Sequence, residues 1–440
     1  MPEKSLEQRT MRKVLWRIMP LVLIGYFISI ADRANLGIAA IQMNQDLKFG
    51  PELYGLGAGI FFTSYAVFEI PSNLLLEHFG ARVWIARIMF TWGILAMLMA
   101  AVVGLKSFLT IRFLLGMAEA GYFPGVMLYF TYWLPKNYRA RATAAMFLAF
   151  TLATAITPVI SGALLELNDV LGMRGWQWLF IIEGLPAILL ALPILLVLPD
   201  RPANTKWLAQ DEIAWLEEAV AGNGKAAPRS KELWVHRVPM DLKFLALSFM
   251  WFGVIGTGYG ITFYLPLIVR SLTHLTPFKT GLLSALPPTA AMFGLIVFGY
   301  TSDRFAERRW HYVLSLLVAA AGYLAATRVS GASATIAALS IAGVGLYSCR
   351  PAFWALAVEN MSANTAAVGL ALVSALGSVG GFVFPLLIGK IKATTGSFDD
   401  ALYLLAGFTA AAAVVGLLTT RHNSRPEQPV VKVRLDHPML

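Results

Sequence analysis

Twelve stretches of this chain are too apolar and too long to rest in water. A helix needs about 20 residues to cross the hydrocarbon core of a bilayer. Runs of that character fall near residues 15–40, 54–76, 84–105, 108–132, 141–165, 177–198, 244–269, 280–300, 310–328, 334–358, 366–389 and 401–419. Inside lipid each backbone N–H and C=O must be satisfied within the segment, which makes helices the solution for runs of this length. The composition agrees: 14% of the 440 residues are charged and 58% are hydrophobic, whereas soluble domains carry about 25% charged residues. The expected fold is an all-α membrane protein with twelve transmembrane helices. The first run follows the basic start "MPEKSLEQRTMRK" and is too long for a signal-peptide core, so it is expected to be a span. One cysteine, Cys349, excludes an intrachain disulfide and a multi-cysteine metal site. No metal or cofactor is expected.

Six runs precede a polar stretch over 199–241 and six follow it. The expected organisation is a six-helix bundle over 1–198, a linker over 199–241, a second bundle over 242–420 and a tail over 421–440. Within the linker, Trp207, Leu208, Ile213, Trp215, Leu216 and Val220 fall near helical spacing, which predicts a short amphipathic helix. Lys and Arg fix the orientation. With both termini cytoplasmic, that side carries 24 basic residues and the opposite side eight, while Arg33, Arg112 and Arg350 lie within spans. The net charge of +10 is thereby explained by lipid headgroups rather than nucleic acid. The expected location is a bacterial cytoplasmic (inner) membrane.

The two halves repeat. Glu77 and Asp303, in the loops after spans 2 and 8, lie 226 residues apart; Gly116 and Gly343, Pro124 and Pro351, and Pro158 and Pro385 each lie 227 apart. Two duplicated six-helix halves are a transporter architecture, with the substrate site between them near the bilayer midplane.

Charges within spans are expensive and usually mark ion or substrate pathways. In "FISIADRANLG" Asp32 and Arg33 stand side by side. In span 4, "TIRFLLGMAEAGYFPG", Arg112 and Glu119 are seven apart and share a helical face. At 1.5 Å per residue, Asp32, Arg33 and Arg112 reach a similar depth, with Glu119 below them in one cavity. Three arginines and two carboxylates give that cavity a formal charge of +1, rising to +3 when both carboxylates are protonated. Proton uptake would then favour anion binding, the sign required for proton–anion symport. Glu119 is the first candidate for the coupling proton and Asp32 the second. Arg350 in "YSCRPAFWALAVEN" either holds a substrate carboxylate or pairs with Glu359 or snorkels. Pro351 beside it is expected to break the helix. Tyr65 serves either substrate or packing, and Tyr259 in the glycine-rich span 7 is a weaker substrate candidate. No HExxH, GxSxG or Walker A pattern is present, so no enzyme is expected.

The twelve-helix repeat and the loop "GYTSDRFAERR" resemble the major facilitator superfamily. "ADRANLG", "RFLLGMAEAGYFPG", "YWLPKNYRARA" and "RPAFWAL" resemble its anion:cation symporter family, which takes up organic anions such as sugar acids, tartrate and phthalate. The resemblance implies proton coupling at Asp32 and Glu119. It implies substrate contact or gating at Arg33, Tyr65 and Arg112, and substrate contact at Trp354. The loop resemblance places Glu77, Arg82, Asp303 and Arg304 at the gates. Glu77–His78 stands where the superfamily usually has Asp–Arg, so a weaker intracellular clamp is expected there; Arg350 stands where a small uncharged residue is more usual, which points to a dicarboxylate or a bulkier acid. The expected activity is import of a small organic carboxylate by proton symport, with a proton-independent exchanger or facilitator as the alternative. The partners implied are that anion, the proton and the lipid bilayer, with the chain working as a monomer.

Overall fold

A computed structural model describes residues 5–221, 241–305, 307–361 and 366–419. Among them no strand occurs. Spans 1 to 3 are α1 (Leu6–Asp46), α2 (Pro51–Phe79) and α3 (Ala81–Leu98). Span 4 is two helices, α4 (Leu105–Glu119) and α5 (Tyr122–Trp133), followed by α6 (Lys136–Leu165) and α7 (Gly175–Val197). The linker contributes α8 (Gln210–Ala221). Span 7 is α9 (Leu242–Thr273); span 8 is again two helices, α10 (Pro277–Ser284) and α11 (Leu286–Phe305). The last four spans are α12 (Arg309–Ala326), α13 (Ala332–Asn360), α14 (Ala366–Thr395) and α15 (Asp399–Thr419). Residues 222–240 of the linker and the tail over 421–440 lie outside the described residues.

With α4 joined to α5 and α10 to α11, eleven of the twelve spans are long and apolar enough to cross a bilayer. The twelfth, α12, starts Arg-Trp-His-Tyr, which dilutes its apolar character. It is nonetheless packed into the bundle against α13 and α15. The repeat seen in the sequence is also a repeat of contacts. Spans 1–5, 1–6, 2–4 and 3–6 pack together, and so do 7–11, 7–12, 8–10 and 9–12.

Two helix ends differ from the pattern expected. Span 4 breaks at Ala120–Gly121, where Gly121 takes φ +89°, a left-handed conformation that favours glycine. A Cβ there would stand 2.4 Å from Ser72 Oγ, so both backbone and space require glycine. Pro351, by contrast, sits inside the continuous helix α13 and does not end it.

Across the halves, α2 packs on α14, α6 on α10, and α1 on α9. This seam is closed at the end away from the N-terminus. Gly55 and Gly281 rest on opposite backbones, where a Cβ would lie 2.3 Å from the Pro385 carbonyl and 2.1 Å from that of Pro158. Tyr54 donates to the Phe263 carbonyl at 3.0 Å, and Tyr264 reaches the carbonyls of Pro51 and Pro385, both at 3.1 Å.

The linker helix α8 is tied to the start of α1. Arg9 Nε and Lys13 Nζ approach the Glu212 carboxylate at 2.9 and 2.8 Å, and the Ala209 N–H donates to it at 2.9 Å. Trp207 stacks on Trp133 at 5.9 Å, with Arg17 5.2 Å from the Trp207 ring centre. Burial alone would push the Glu212 carboxyl up, but the Lys13 hydrogen bond, the Ala209 N–H and the charges of Lys13 and Arg9 hold it below its ordinary value. A carboxylate with a depressed folded value stabilises the fold above its ordinary value, near pH 4.3, and loses that contribution as pH falls through the folded one. In thermal melts Glu212→Gln is therefore expected to fall about one or two degrees below the wild type at pH 7. The difference should close on acidification below about pH 4.

Candidate functional site

Successive residues of a helix are turned by about 100°, so neighbours in sequence look in different directions. Asp32 and Arg33 show the consequence. Ser29 and Arg33, four apart on α1, face α4, and Asp32 faces α3.

Arg33 is 9% exposed and Glu119 fully buried. The guanidinium meets the Glu119 carboxylate through Nη2 at 2.7 Å and Nε at 2.9 Å, and Ser29 donates to the same oxygen. Nη1 of Arg33 donates to the Tyr259 hydroxyl at 3.0 Å, so the pair bridges α1, α4 and α9. The guanidinium also lies 4.7 Å from the Tyr65 ring centre and 5.2 Å from that of Phe61. Glu119 is the last residue of α4. The carbonyls exposed at a helix C-terminus make it a poor place for a bare carboxylate, and the arginine supplies the compensating charge.

Arg112, 1% exposed, takes a different course. Its Nε and Nη2 donate to the carbonyls of Gly57 and Ala58 on α2, at 3.1 and 3.2 Å. Its guanidinium lies 4.9 Å from the Phe61 ring centre, so Arg33 and Arg112 share that ring. Arg112 therefore holds α4 to α2 and does not meet Glu119 in an ion pair.

Arg350, 6% exposed, is packed between aromatics of both halves. The centres of the Phe150 and Tyr347 rings are 4.5 and 4.6 Å from its guanidinium. Its Nε has no hydrogen-bond partner, and among the described residues no carboxylate, Glu359 included, lies within ion-pair distance. Gly258 lies beside it, where a Cβ would stand 3.2 Å from Nη2. Arg350 and Arg33 thus lie beside successive residues of α9, Gly258 and Tyr259. Tyr26, which the sequence reading did not single out, rests on Phe123 and Phe150 and is a charge neighbour of both arginines. Trp354 packs edge-on to Trp251, 4.9 Å between centres, one helical position beyond the stacked Phe353.

Asp32 belongs to another pocket. It accepts from Trp92 Nε1 of α3 and, at 3.5 Å, from Asn35 Nδ2. Asn35 also faces Glu183 of α7, which the sequence reading missed. Its signal was available: "WLFIIEGLPAILL" sets one acid in an apolar run just as "FISIADRANLG" does.

Glu77, Arg82 and Arg304 are exposed, and no ion pair joins them among the described residues. The Arg82 N–H donates to Asp200 at 2.8 Å, which caps the start of α3. The side chain of Asp303 lies outside the described residues.

The model of the Major Facilitator Superfamily matches residues 22–385 and 271–434. The chain belongs to the major facilitator superfamily. It is 41% identical over 428 residues to a candidate tartrate transporter of Agrobacterium vitis, covering 96% of this chain and 93% of that one. A quinolone resistance transporter of Acinetobacter baumannii is 35% identical, covering 91% and 92%. Among solved structures, a D-xylose–proton symporter superposes with a TM-score of 0.75 at 12% identity, over 93% of this chain and 98% of that one, which bears on the fold alone. Like its family, this protein is a multi-pass membrane transporter and not an enzyme.

In this transporter, removing one partner of a buried ion pair leaves the other charge stranded, at about 3–5 kcal/mol. Arg33→Leu and Glu119→Leu should each lower the melting temperature in detergent. The double substitution should melt above at least one of the singles, because it leaves no unpaired charge.

Proposed function

We propose that this transporter imports a small organic carboxylate across the bacterial inner membrane by proton symport, as a monomer with both termini cytoplasmic. The observation that carries the reading is the Arg33–Glu119 pair in contact with Tyr259. While Glu119 is ionised, the Arg33 guanidinium is occupied by an internal carboxylate. Placing a proton on Glu119 releases Arg33 to a substrate carboxylate, which binds it bidentately. Substrate and proton then favour each other, as linkage requires. Reopening on the cytoplasmic side returns the proton to water and Glu119 to Arg33, expelling the anion.

Arg350 is the second anchor in this scheme, since it is a buried cation held only by rings. Two guanidinium groups on either side of Gly258–Tyr259 suit a dicarboxylate, and the tartrate-named relative supports that class. Tyr65 and Tyr259 orient Arg33, Trp354 walls the cavity, and Arg112 keeps α4 in register with α2. Asp32 is the second proton site. Glu77, Arg82, Asp303 and Arg304 serve the gates at the cytoplasmic loops. The bundles over 1–198 and 242–420 move against each other, with the connector over 199–241 and the tail over 421–440 outside them. The rival reading is a proton-independent exchanger or facilitator, and the quinolone-resistance relative makes direction a point to test.

The test is uptake into reconstituted vesicles under an inward proton gradient, with tartrate, malate, sugar acids, phthalate and hydroxyphenylacetate. Wild type should accumulate one acid against its gradient, and Glu119→Gln should only equilibrate or exchange it. Accumulation by both proteins alike would remove Glu119 from coupling. Exchange with no response to the gradient in wild type would establish the exchanger reading. Arg350→Ala should raise the KM for that acid about tenfold or more, in keeping with loss of a charge-assisted bond. Arg350→Lys should recover only part of it, because an ammonium cannot form the fork.

A further inference from the structure

Away from Arg33, five polar side chains cluster inside the first half of the molecule, from α1, α3, α6 and α7. Asp32 accepts from Trp92 and from Asn35; Glu183 accepts from Ser161 Oγ at 2.7 Å. Asn35 also faces Glu183. Asp32 is 4% exposed and Asn35 1%. Neither carboxylate has an ion-pair partner among the described residues. The charges bearing on Asp32 are those of Glu183, Glu119 and Arg112. Of these, Glu119 is engaged by Arg33 and Arg112 is bonded to carbonyls of α2.

The hydrogen-bond inventory of this pocket is short of donors. Asn35 Oδ1 and Glu183 Oε2 are both buried acceptors with nothing donating to them. An ionised carboxylate only accepts, whereas a protonated one also donates. Two carboxylates without a cation in a low-dielectric interior do not both stay ionised. We propose that Glu183, with Asn35, completes a proton site at Asp32, in which one of the two carboxylates is protonated and donates toward an unfilled acceptor. The ligand of this pocket is the proton itself, and Glu183 is the residue that completes it. The site lies on the side of α1 opposite Arg33. A rotation or tilt of α1 that changes the distance of Asp32 from Glu183 therefore changes proton affinity without touching substrate. Glu183 is a positioning and proton-holding residue, not a substrate contact. Its part in coupling rests on the symport reading above; the presence of the proton does not.

Infrared difference spectroscopy of the purified, reconstituted protein tests the proton directly, with no substrate present. At pH 7 the wild type should show a protonated-carboxyl carbonyl band that shifts on exchange into heavy water. Glu183→Gln and Asp32→Asn should each abolish it, and Glu119→Gln should leave it. If Glu183→Gln does not fold, Glu183→Asp should shift the band without abolishing it. No such band in wild type at pH 7, or a band surviving both Glu183→Gln and Asp32→Asn, overturns the proposal. For coupling, loss of one driven proton should lower the accumulation ratio of Glu183→Gln about tenfold for each pH unit of gradient. An unchanged ratio in a gradient-driven wild type rejects the coupling role. A wild type that ignores the gradient rejects the symport reading, and the infrared band still decides the proton site.

Discussion

A guanidinium inside a membrane-spanning bundle has to be compensated locally, and the Arg33–Glu119 contact is where this molecule does so most directly. Charge burial without compensation costs far more than a single packing contact returns. The surroundings are arranged to make the contact possible. α4 ends at Glu119 because the chain turns through a left-handed Gly121. Only glycine fits that turn, because Ser72 of α2 occupies the room a side chain would need. The arginine in turn reaches Tyr259 of the second half. One ion pair thus joins the local break in span 4 to the relation between the halves, and a change in its protonation is felt on both sides.

The three arginines within spans look equivalent in the sequence and are not equivalent in space. Arg33 is satisfied by a carboxylate, Arg112 by neutral carbonyls, and Arg350 by two aromatic faces. Those are three grades of compensation. A carboxylate neutralises the charge, carbonyl dipoles satisfy its hydrogen bonds, and ring faces contribute about 2 kcal/mol when desolvated while leaving the N–H groups free. An incoming anion gains most where compensation is weakest. By that ordering Arg350 is the least compensated of the three, and Arg33 is freed only when Glu119 gives it up.

The architecture was legible because it depends on averages. Twenty-residue apolar runs and coincident spacings of 226 and 227 residues survive local irregularity. The break at Ala120–Gly121 was not legible, since one glycine with positive φ hardly alters the mean of a long apolar run. Pro351 misled in the opposite sense: a proline removes one donor, and the continuous α13 absorbs it. The site was readable in residue type more than in grouping. Asp32 and Arg33 look like a pair when written side by side, but the helix turns one toward Trp92 and the other toward Glu119. Glu183 was overlooked because a single acid among the apolar residues of α7 leaves that run convincingly apolar. Partnership is a property of helix faces, which spacing along one segment does not reveal.

The seam between the halves shows how such a site could be exposed to each side in turn. At the end away from the N-terminus it is closed by glycines on carbonyls, by tyrosine hydroxyls and by the edge-on rings of Tyr54 and Tyr264. Close glycine contacts give good dispersion energy while the surfaces touch, and require no side-chain rearrangement to part. Each tyrosine bond is worth about 0.5–1.5 kcal/mol net, so opening this end forfeits a few kcal/mol. A difference of that size lies within what ligand binding supplies, and keeps both states accessible. Two bundles held by such a seam, with a hydrogen bond reaching across it from Arg33 to Tyr259, place the Arg33–Glu119 pair where the two halves meet.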